Sequence, residues 1–583
     1  MSESQYTKMT REEVAEEQVG KTAITRPMAY ALLGAFLATI LTVPIVQHGI
    51  EVRAGFASKG QWVWPKAYDA LRIPGNAVKA FNHPSHQGFW DKFQAANASF
   101  MREVKAYEKA LEEDSFVARA SLPPTQAMTA DLLGLGNEQV YLGRDGWLFY
   151  QPEVGYLTGE GFLYANVLRS RARSGHAGEV FVQPNPVKAI VDFNNQLRDR
   201  GIHLIMMPAP VKPMIEPERL SKRFHNPLPI PLQNPSYGEF LKQLKAAGVD
   251  ILDVSPALAK AKLESGQPQF LITDTHWTPE AMDIAAGLLA EHTRGLNLLK
   301  GPELPLTRSN QPVSNTGDIA AMLKLPADSK LYPRQSVTVQ PVWNGNAPFK
   351  PDPAAQILVL GDSFSNIFSL EAMGWGASAG FVEQLGYHLR QPIDAILRND
   401  AAAFATRELL AKDLAQGRDR LAGKKILVWQ FAMRELAVGD WKILKIPAVE
   451  NSRSRQAPTT EGGFFVPAKG EAIEVEGTIA ARSSTPRPGT VPYKDQIFSV
   501  HLTGITGGKT SASGQAVVYL FGMKDNQLTP VSAWKVGDRV KLKLRPWADV
   551  ASEYERFNRS ELDAEELQLE IPAWGELPTN SKP

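Results

Sequence analysis

The 583 residues contain no cysteine. That excludes disulfide staples, thiolate nucleophiles, iron–sulfur clusters and every zinc site built on cysteine. Excess charge of either sign is nearly absent as well: 63 Lys and Arg stand against 62 Asp and Glu, a formal charge of +1. No global basic field draws nucleic acid, and no Lys/Arg run with interleaved aromatics supplies a local one. There is no HExxH pair, and Gly374-Trp375-Gly376 has neither the GxGxxG spacing nor the lysine of a phosphate loop. Internal repeats and low-complexity tracts are missing too. With 43% apolar and 21% charged residues the composition is that of a globular protein, and the length exceeds what one core organises.

One long hydrophobic run is present. Met28 to Val46 carries no charge, and at ~1.5 Å per residue it matches a ~30 Å hydrocarbon core. Lys21 and Arg26 precede it and the next positive charge is Arg53, which predicts a cytoplasmic tail over 1–27, an anchor over 28–47 and an exported remainder. A cleaved signal peptide is the alternative, although Pro44-Ile45-Val46-Gln47-His48 offers no small-x-small cleavage site. The expected location is the inner (cytoplasmic) membrane, single-pass, with the rest of the chain in the periplasm.

Residues 48–130 read as a connector in which Phe93, Phe100, Val104, Tyr107 and Leu111 recur at helical spacing; core packing is the expected use of that face. From 131 to 448 the pattern is α/β. Tyr141 to Tyr150 predicts two short strands about the Arg144-Asp145-Gly146 turn. Pro186 opens a helix. Strands follow at His203, Val249 to Val254, Ile357 and Ile426. Short apolar strands alternating with helices imply a parallel sheet covered on both faces. Residues 449–470 read as a linker, and 471–575 as a strand-rich module of the small-barrel kind, OB or SH3.

Two constellations carry chemistry. Ile357 to Leu360 runs straight into Gly361-Asp362-Ser363, which puts a serine hydroxyl at the C-terminal end of a strand, where open sheets bind ligands. Asp274-Thr275-His276, read as extended chain at a strand-to-helix junction, puts the carboxylate and the imidazole on one side. Asp274 would then fix the Nδ1–H tautomer and leave Nε2 to take a serine proton. Alone, each has a plainer reading: a chance loop tripeptide, and a surface histidine beside an incidental aspartate. Two ligands do not make a metal site, so no metal and no cofactor is expected. Lys212 reads as a solvated loop lysine, and Trp547 and Tyr493 as packing residues.

Asp274-Thr275-His276-Trp277, Gly361-Asp362-Ser363-Phe364-Ser365, the segment Trp375 to Phe381, Trp429 to Arg434 and the opening Gly143 to Phe149 occur together and in order. Over roughly 131–445 the chain resembles the SGNH-hydrolase-like alginate O-acetyltransferases of the AlgJ/AlgX type. The resemblance implies an SGNH-like α/β domain with Ser363 as acetyl-accepting nucleophile, His276 as general base and acid, and Asp274 as its orienter. It places Arg434, with Ser365, Asn366, Trp375 and Trp277, as oxyanion or substrate contacts; ordinary ion pairing is the alternative for Arg434. It also departs at Gln430, where the family carries a glutamate. The implied activity is O-acetylation of an exported polysaccharide, with an MBOAT-type membrane acyltransferase as acetyl donor. The rival classes are a deacetylase or esterase using the same triad, and a non-catalytic glycan-binding scaffold.

Overall fold

A computed structural model describes residues 25–59, 64–82, 88–173, 182–399, 401–447, 463–488, 491, 493–507, 510–555, 557–562, 564, 567 and 570–578. They fall into two compact units that divide at Leu122 and Pro123. Most of the expected tail, and most of the linker expected at 449–470, lies outside the described residues.

In the first unit, helix α1 (Arg26–Lys59) runs through Pro44 without ending. Arg26–Ala54 is the one described stretch long and apolar enough to cross a membrane, and none of it is buried. Helices α2 (Ile73–Phe81) and α3 (Phe89–Asp114) follow, tied by Asn76 Nδ2 donating to Glu103 at 2.9 Å. The apolar stripe expected on α3 is only partly covered: Phe93 and Phe100 are exposed, while Val104, Tyr107 and Leu111 are half-buried.

The second unit opens with the expected hairpin, β1 (Val140–Leu142) against β2 (Leu148–Tyr150). Its turn needs positive φ at Asp145 and Gly146, which those residue types tolerate. Helix α4 (Pro186–Arg198) starts where Asn185 accepts from Val187 N and Lys188 N. The central sheet is β3 (His203–Ala209), β4 (Asp250–Ile251), β5 (Ile357–Gly361), β6 (Asp394–Leu397) and β7 (Ile426–Ala432), all parallel, in the order β6-β5-β7-β3-β4. Every residue of β5 and β7 is buried, Gln430 included, so their largely apolar runs reflect cover on both faces.

Three features depart from expectation. β4 is shorter than Val249 to Val254, because Asp253 turns the chain by accepting from Ser255 N and Ser255 Oγ. β6 carries no clean apolar signal because it begins with Asp394, whose buried charge is met by Arg420 at 2.6 Å and Lys424 at 3.0 Å. The Asp274–His276 segment is not a strand at all. It is a tight loop closed by a Phe270–Trp277 bridge, leading into helix α5 (Pro279–Gly295) behind the Thr278 cap.

The C-terminal module is a small closed barrel of β8 (Ile473–Arg482), β9 (Gln496–Gly507), β10 (Thr510–Lys524), β11 (Arg539–Pro546) and β12 (Ala573–Glu576). Its order, β9-β10-β12-β11-β8 and back to β9, has β10 and β12 parallel and the other neighbours antiparallel. The closing strand β12 carries no alternation that would single it out. The barrel meets the sheet domain through polar contacts, among them Arg398 to Arg559 O at 2.9 Å and Lys412 to Tyr519 OH at 3.0 Å.

Candidate active site

Ser363 lies one residue beyond β5, after Asp362, and begins the short helix α7 (Ser363–Asn366) at the C-terminal edge of the sheet. Asp362 caps that turn. Its Oδ1 accepts from Phe364 N at 2.9 Å and Gln430 Nε2 at 2.8 Å, and its Oδ2 from Ala432 N at 2.7 Å. Gln430 answers with its Oε1, which accepts from Asp362 N at 3.1 Å and Ser365 Oγ at 2.6 Å. A neutral amide that donates on one side and accepts on the other is what this position requires beside an aspartate. That is a physical reason for glutamine here.

The Asp274 carboxylate is fully engaged. Oδ1 lies 2.6 Å from His276 Nδ1 and accepts from His276 N at 3.1 Å; Oδ2 accepts from Trp375 Nε1 at 2.8 Å and from Asp318 N at 3.0 Å. Burial pushes this carboxyl up, but the imidazole and these N–H donors outweigh it and hold it at about 2. Burial lowers His276 while Asp274 raises it, and the net shift is upward. Nδ1 thus keeps its proton, and the buried Nε2 has no hydrogen-bond partner among the described residues. His276 and Ser363 line one cavity of about 420 Å³, together with Tyr150, Thr275, Asp318, Asn399 and Arg434.

Of the other expected contacts, Arg434 reaches the cavity wall. Its Nη1 also pairs with Glu153 at 2.9 Å, and its guanidinium lies 5.8 Å from the Phe364 ring centre. Ser365, Asn366, Trp277 and Trp375 do not line the cavity; they form the layer behind it. Ser365 holds Gln430, Asn366 donates to Asn399 at 2.9 Å, Trp277 Nε1 donates to Phe364 O at 3.0 Å, and Trp375 holds Asp274. Trp277 and Trp375 are completely buried, so their role is to fix the loop and the serine turn relative to each other.

Lys212 corrects the sequence reading. It is fully buried, with Nζ donating to Leu148 O at 2.8 Å and Ile272 O at 3.3 Å and lying 5.7 Å and 5.5 Å from the Trp147 and Phe149 ring centres. Burial lowers it to about 8. Glu153, fully buried beside Arg434, is raised by burial to about 7. Trp547 packs in the barrel against Tyr519 and Trp574 as expected. Tyr493 is half-buried against the core of the sheet domain, as expected, and with Val491 it also lines the cavity, so the loop between β8 and β9 brings the barrel to the site.

Sequence reasoning missed Asp318 and Asn399. Asn399 follows β6, the strand whose charged start hid it. Asp318 heads the short helix α6 (Asp318–Met322), and nothing local in the sequence links it to the Asp274 loop. Asp274, His276 and Asp318 bring ligand atoms within 4.8 Å of one another. Yet the 2.6 Å contact of Asp274 to Nδ1 needs a proton between them, and both Asp318 oxygens accept from Thr275, at 2.8 Å and 2.7 Å. The cluster is satisfied by protons.

An imidazole oriented by a carboxylate and sharing a cavity with a serine at a sheet edge is the arrangement of groups that α/β serine hydrolases and acyltransferases have in common. The SGNH hydrolase-like domain of acetyltransferase AlgX matches residues 140–433, half of the chain. The chain belongs to that family, the AlgJ/AlgX type, and its domain is of the acetyltransferase kind. The probable alginate O-acetylase AlgJ of Pseudomonas putida is 27% identical over 348 residues, 57% of this chain and 79% of that protein. Its counterpart in Pseudomonas aeruginosa is 27% identical over 420 residues, 71% of this chain and 91% of that one. Among solved structures, the O-acetyltransferase domain of Pseudomonas putida AlgJ superposes with a TM-score of 0.39 at 22% identity, covering 52% of this chain and 93% of that chain.

Proposed function

We propose that this protein is a membrane-anchored O-acetyltransferase facing the periplasm, which moves acetyl groups through a Ser363 acyl-enzyme onto hydroxyls of an exported polysaccharide. Alginate, named in its relatives, is the first candidate acceptor. The observation that carries the reading is the unpartnered Nε2 of His276 in the same cavity as Ser363.

In the first half-reaction Nε2 takes the Ser363 proton, and the serine oxygen attacks the acetyl carbonyl. The tetrahedral oxyanion is met by the Ser363 N–H at the start of α7, which has no intrahelical acceptor, and by the Arg434 charge. The imidazolium then protonates the leaving group. In the second, Nε2 takes the proton of a sugar hydroxyl, that oxygen attacks the acyl carbon, and the proton returns to Ser363. Asp274 stays ionised throughout and stabilises the imidazolium. Acetyl reaches the site from a membrane acyltransferase of the MBOAT type, and the apolar Arg26–Ala54 stretch keeps this protein in the same bilayer. Val491 and Tyr493 suit a sugar acceptor, because an aromatic ring and an apolar edge pack against a pyranose face while Asn399 and Arg434 bond its hydroxyls.

Wild type and Ser363→Ala, incubated with p-nitrophenyl acetate and with or without oligoalginate, test this reading by product mass. Acetylated oligomer from wild type alone supports transfer. Nitrophenol release with no oligomer product points to an esterase, and equal behaviour of the two proteins removes Ser363 as nucleophile.

A further inference from the structure

The loop that carries Asp274 and His276 is clamped by a segment 44 residues further on. Gly317 adopts φ +90°, and a Cβ there would sit 2.4 Å from the Thr273 carbonyl oxygen, so glycine is required for the close approach. Thr273 Oγ1 donates to Thr316 O, and Ala320 N donates to Thr273 O at 3.2 Å. Asp318 closes the clamp twice. Its N–H binds Asp274 Oδ2 at 3.0 Å, and its carboxylate accepts Thr275 N at 2.8 Å and Thr275 Oγ1 at 2.7 Å. Because Thr275 gives its hydroxyl proton to Asp318, its oxygen faces His276 Nδ1, 3.1 Å away, only as an acceptor. Asp318 Oδ2 itself lies 4.0 Å from Nδ1.

We propose that Asp318 is a positioning residue of the transfer reaction, acting through Thr275 to hold the Nδ1–H form of His276 and placing a second negative charge beside the imidazolium. This rests on the reading of His276 as the base for Ser363. The hydroxyl of Thr275 becomes a second acceptor for Nδ1–H, so the ring cannot swap tautomers without breaking two contacts. The charges around the ring are Asp274 and Asp318, which raise its proton affinity, and Arg434, which lowers it. Glu153 faces Arg434, and Lys212 faces Glu153 and Asp274 from behind. Asp318 itself is raised to about 6 by burial and by the Asp274 charge, so its ionisation falls in the working pH range.

The test uses full-length protein in detergent, with Asp318→Asn, Asp318→Glu, Thr275→Val and Ser363→Ala. Two readouts are followed: p-nitrophenyl acetate turnover against pH, and NMR titration of histidine-labelled protein. For Asp318→Asn the expected result is a kcat loss of about tenfold to a hundredfold, KM little changed, and a lower His276 titration midpoint. Asp318→Glu restores the midpoint by restoring the charge, a recovery that a purely structural role would not produce. Thr275→Val loses kcat while keeping most of the midpoint, since the charge remains. A folded Asp318→Asn protein with wild-type kcat and midpoint overturns the proposal. If that variant does not fold, wild-type turnover of Thr275→Val at every pH overturns the relay instead. Full activity of Ser363→Ala would strike at the nucleophile alone, because the His276 titration still reports on Asp318.

Discussion

Replacing Asp274 by asparagine is the sharpest perturbation that the hydrogen-bond geometry allows. The carboxylate accepts four N–H groups, two at each oxygen. An amide of the same shape can accept at one oxygen only, and its NH2 must face either His276 or the Trp375 and Asp318 donors. If it faces Trp375 Nε1 and Asp318 N, two buried donors lose their acceptor at about 1–3 kcal/mol each. If it faces His276, the ring is driven to the Nε2–H tautomer and cannot accept the serine proton; the precedent for that change in a serine triad is a loss of about ten-thousand-fold in kcat. The linkage term has a definite sign. The carboxyl falls from 3.8 to about 2 on folding, so ionised Asp274 contributes about 2 kcal/mol above pH 4, and this is lost as pH drops through 2. The asparagine variant is therefore expected to melt several degrees lower at pH 7 or to turn over at least a thousandfold more slowly. Stopped-flow hydrolysis of p-nitrophenyl acetate and a thermal melt on the same preparation measure both. A variant within tenfold of wild type in kcat and unchanged in melting would refute the account of how His276 is oriented.

Wild-type activity is expected to rise with pH through a midpoint above the ordinary histidine value of 6.5, because Asp274 raises His276 and only the neutral ring accepts a proton; a pH–rate profile of kcat/KM reads this directly. Gln430→Glu would set a second carboxylate against Asp362, where Nε2 now donates at 2.8 Å, with a loss on the order of 3 kcal/mol that shrinks at low pH as one acid protonates, seen by melting at pH 5 and pH 8. Glu153 is raised from 4.5 to about 7, so the neutral acid suits the fold and wild type loses up to about 3 kcal/mol as pH climbs through that window; in Glu153→Gln the slope of melting temperature against pH between 5 and 8 should flatten. Truncating Tyr493 to alanine should raise the KM for an oligosaccharide acceptor several-fold while leaving p-nitrophenyl acetate hydrolysis near wild type, measured by comparing the two substrates.

The parallel sheet was legible because β5, β7 and all of β3 after His203 are buried and so are written as largely apolar runs. The serine turn was legible because a strand feeding a Gly-Asp-Ser sequence has few uses. Asp274 and His276 were recognised as a pair, but by the wrong geometry: the contact comes from a closed loop, not from alternation along a strand. What stayed hidden depended on distant partners. Asp394 masks β6 because its charge is neutralised by Arg420 and Lys424, which follow it by some 25 to 30 residues. Lys212 reads as a surface lysine until two carbonyls and two aromatic rings close over it. Asp318 belongs to the site only because Gly317 lets the backbone approach Thr273. Trp277 and Trp375 attract a functional reading, yet their indole N–H groups bond inward, to the Phe364 carbonyl and to Asp274 respectively.

The central claim is that Ser363 carries the acetyl group. Full-length protein mixed with p-nitrophenyl acetate, quenched in acid within the first turnover and digested, gives the answer by peptide mass. The account predicts one added acetyl mass on the peptide containing Ser363, absent from Ser363→Ala and released on adding a glycan acceptor. An acetyl group found on another residue, or none on Ser363 while turnover proceeds, would contradict it.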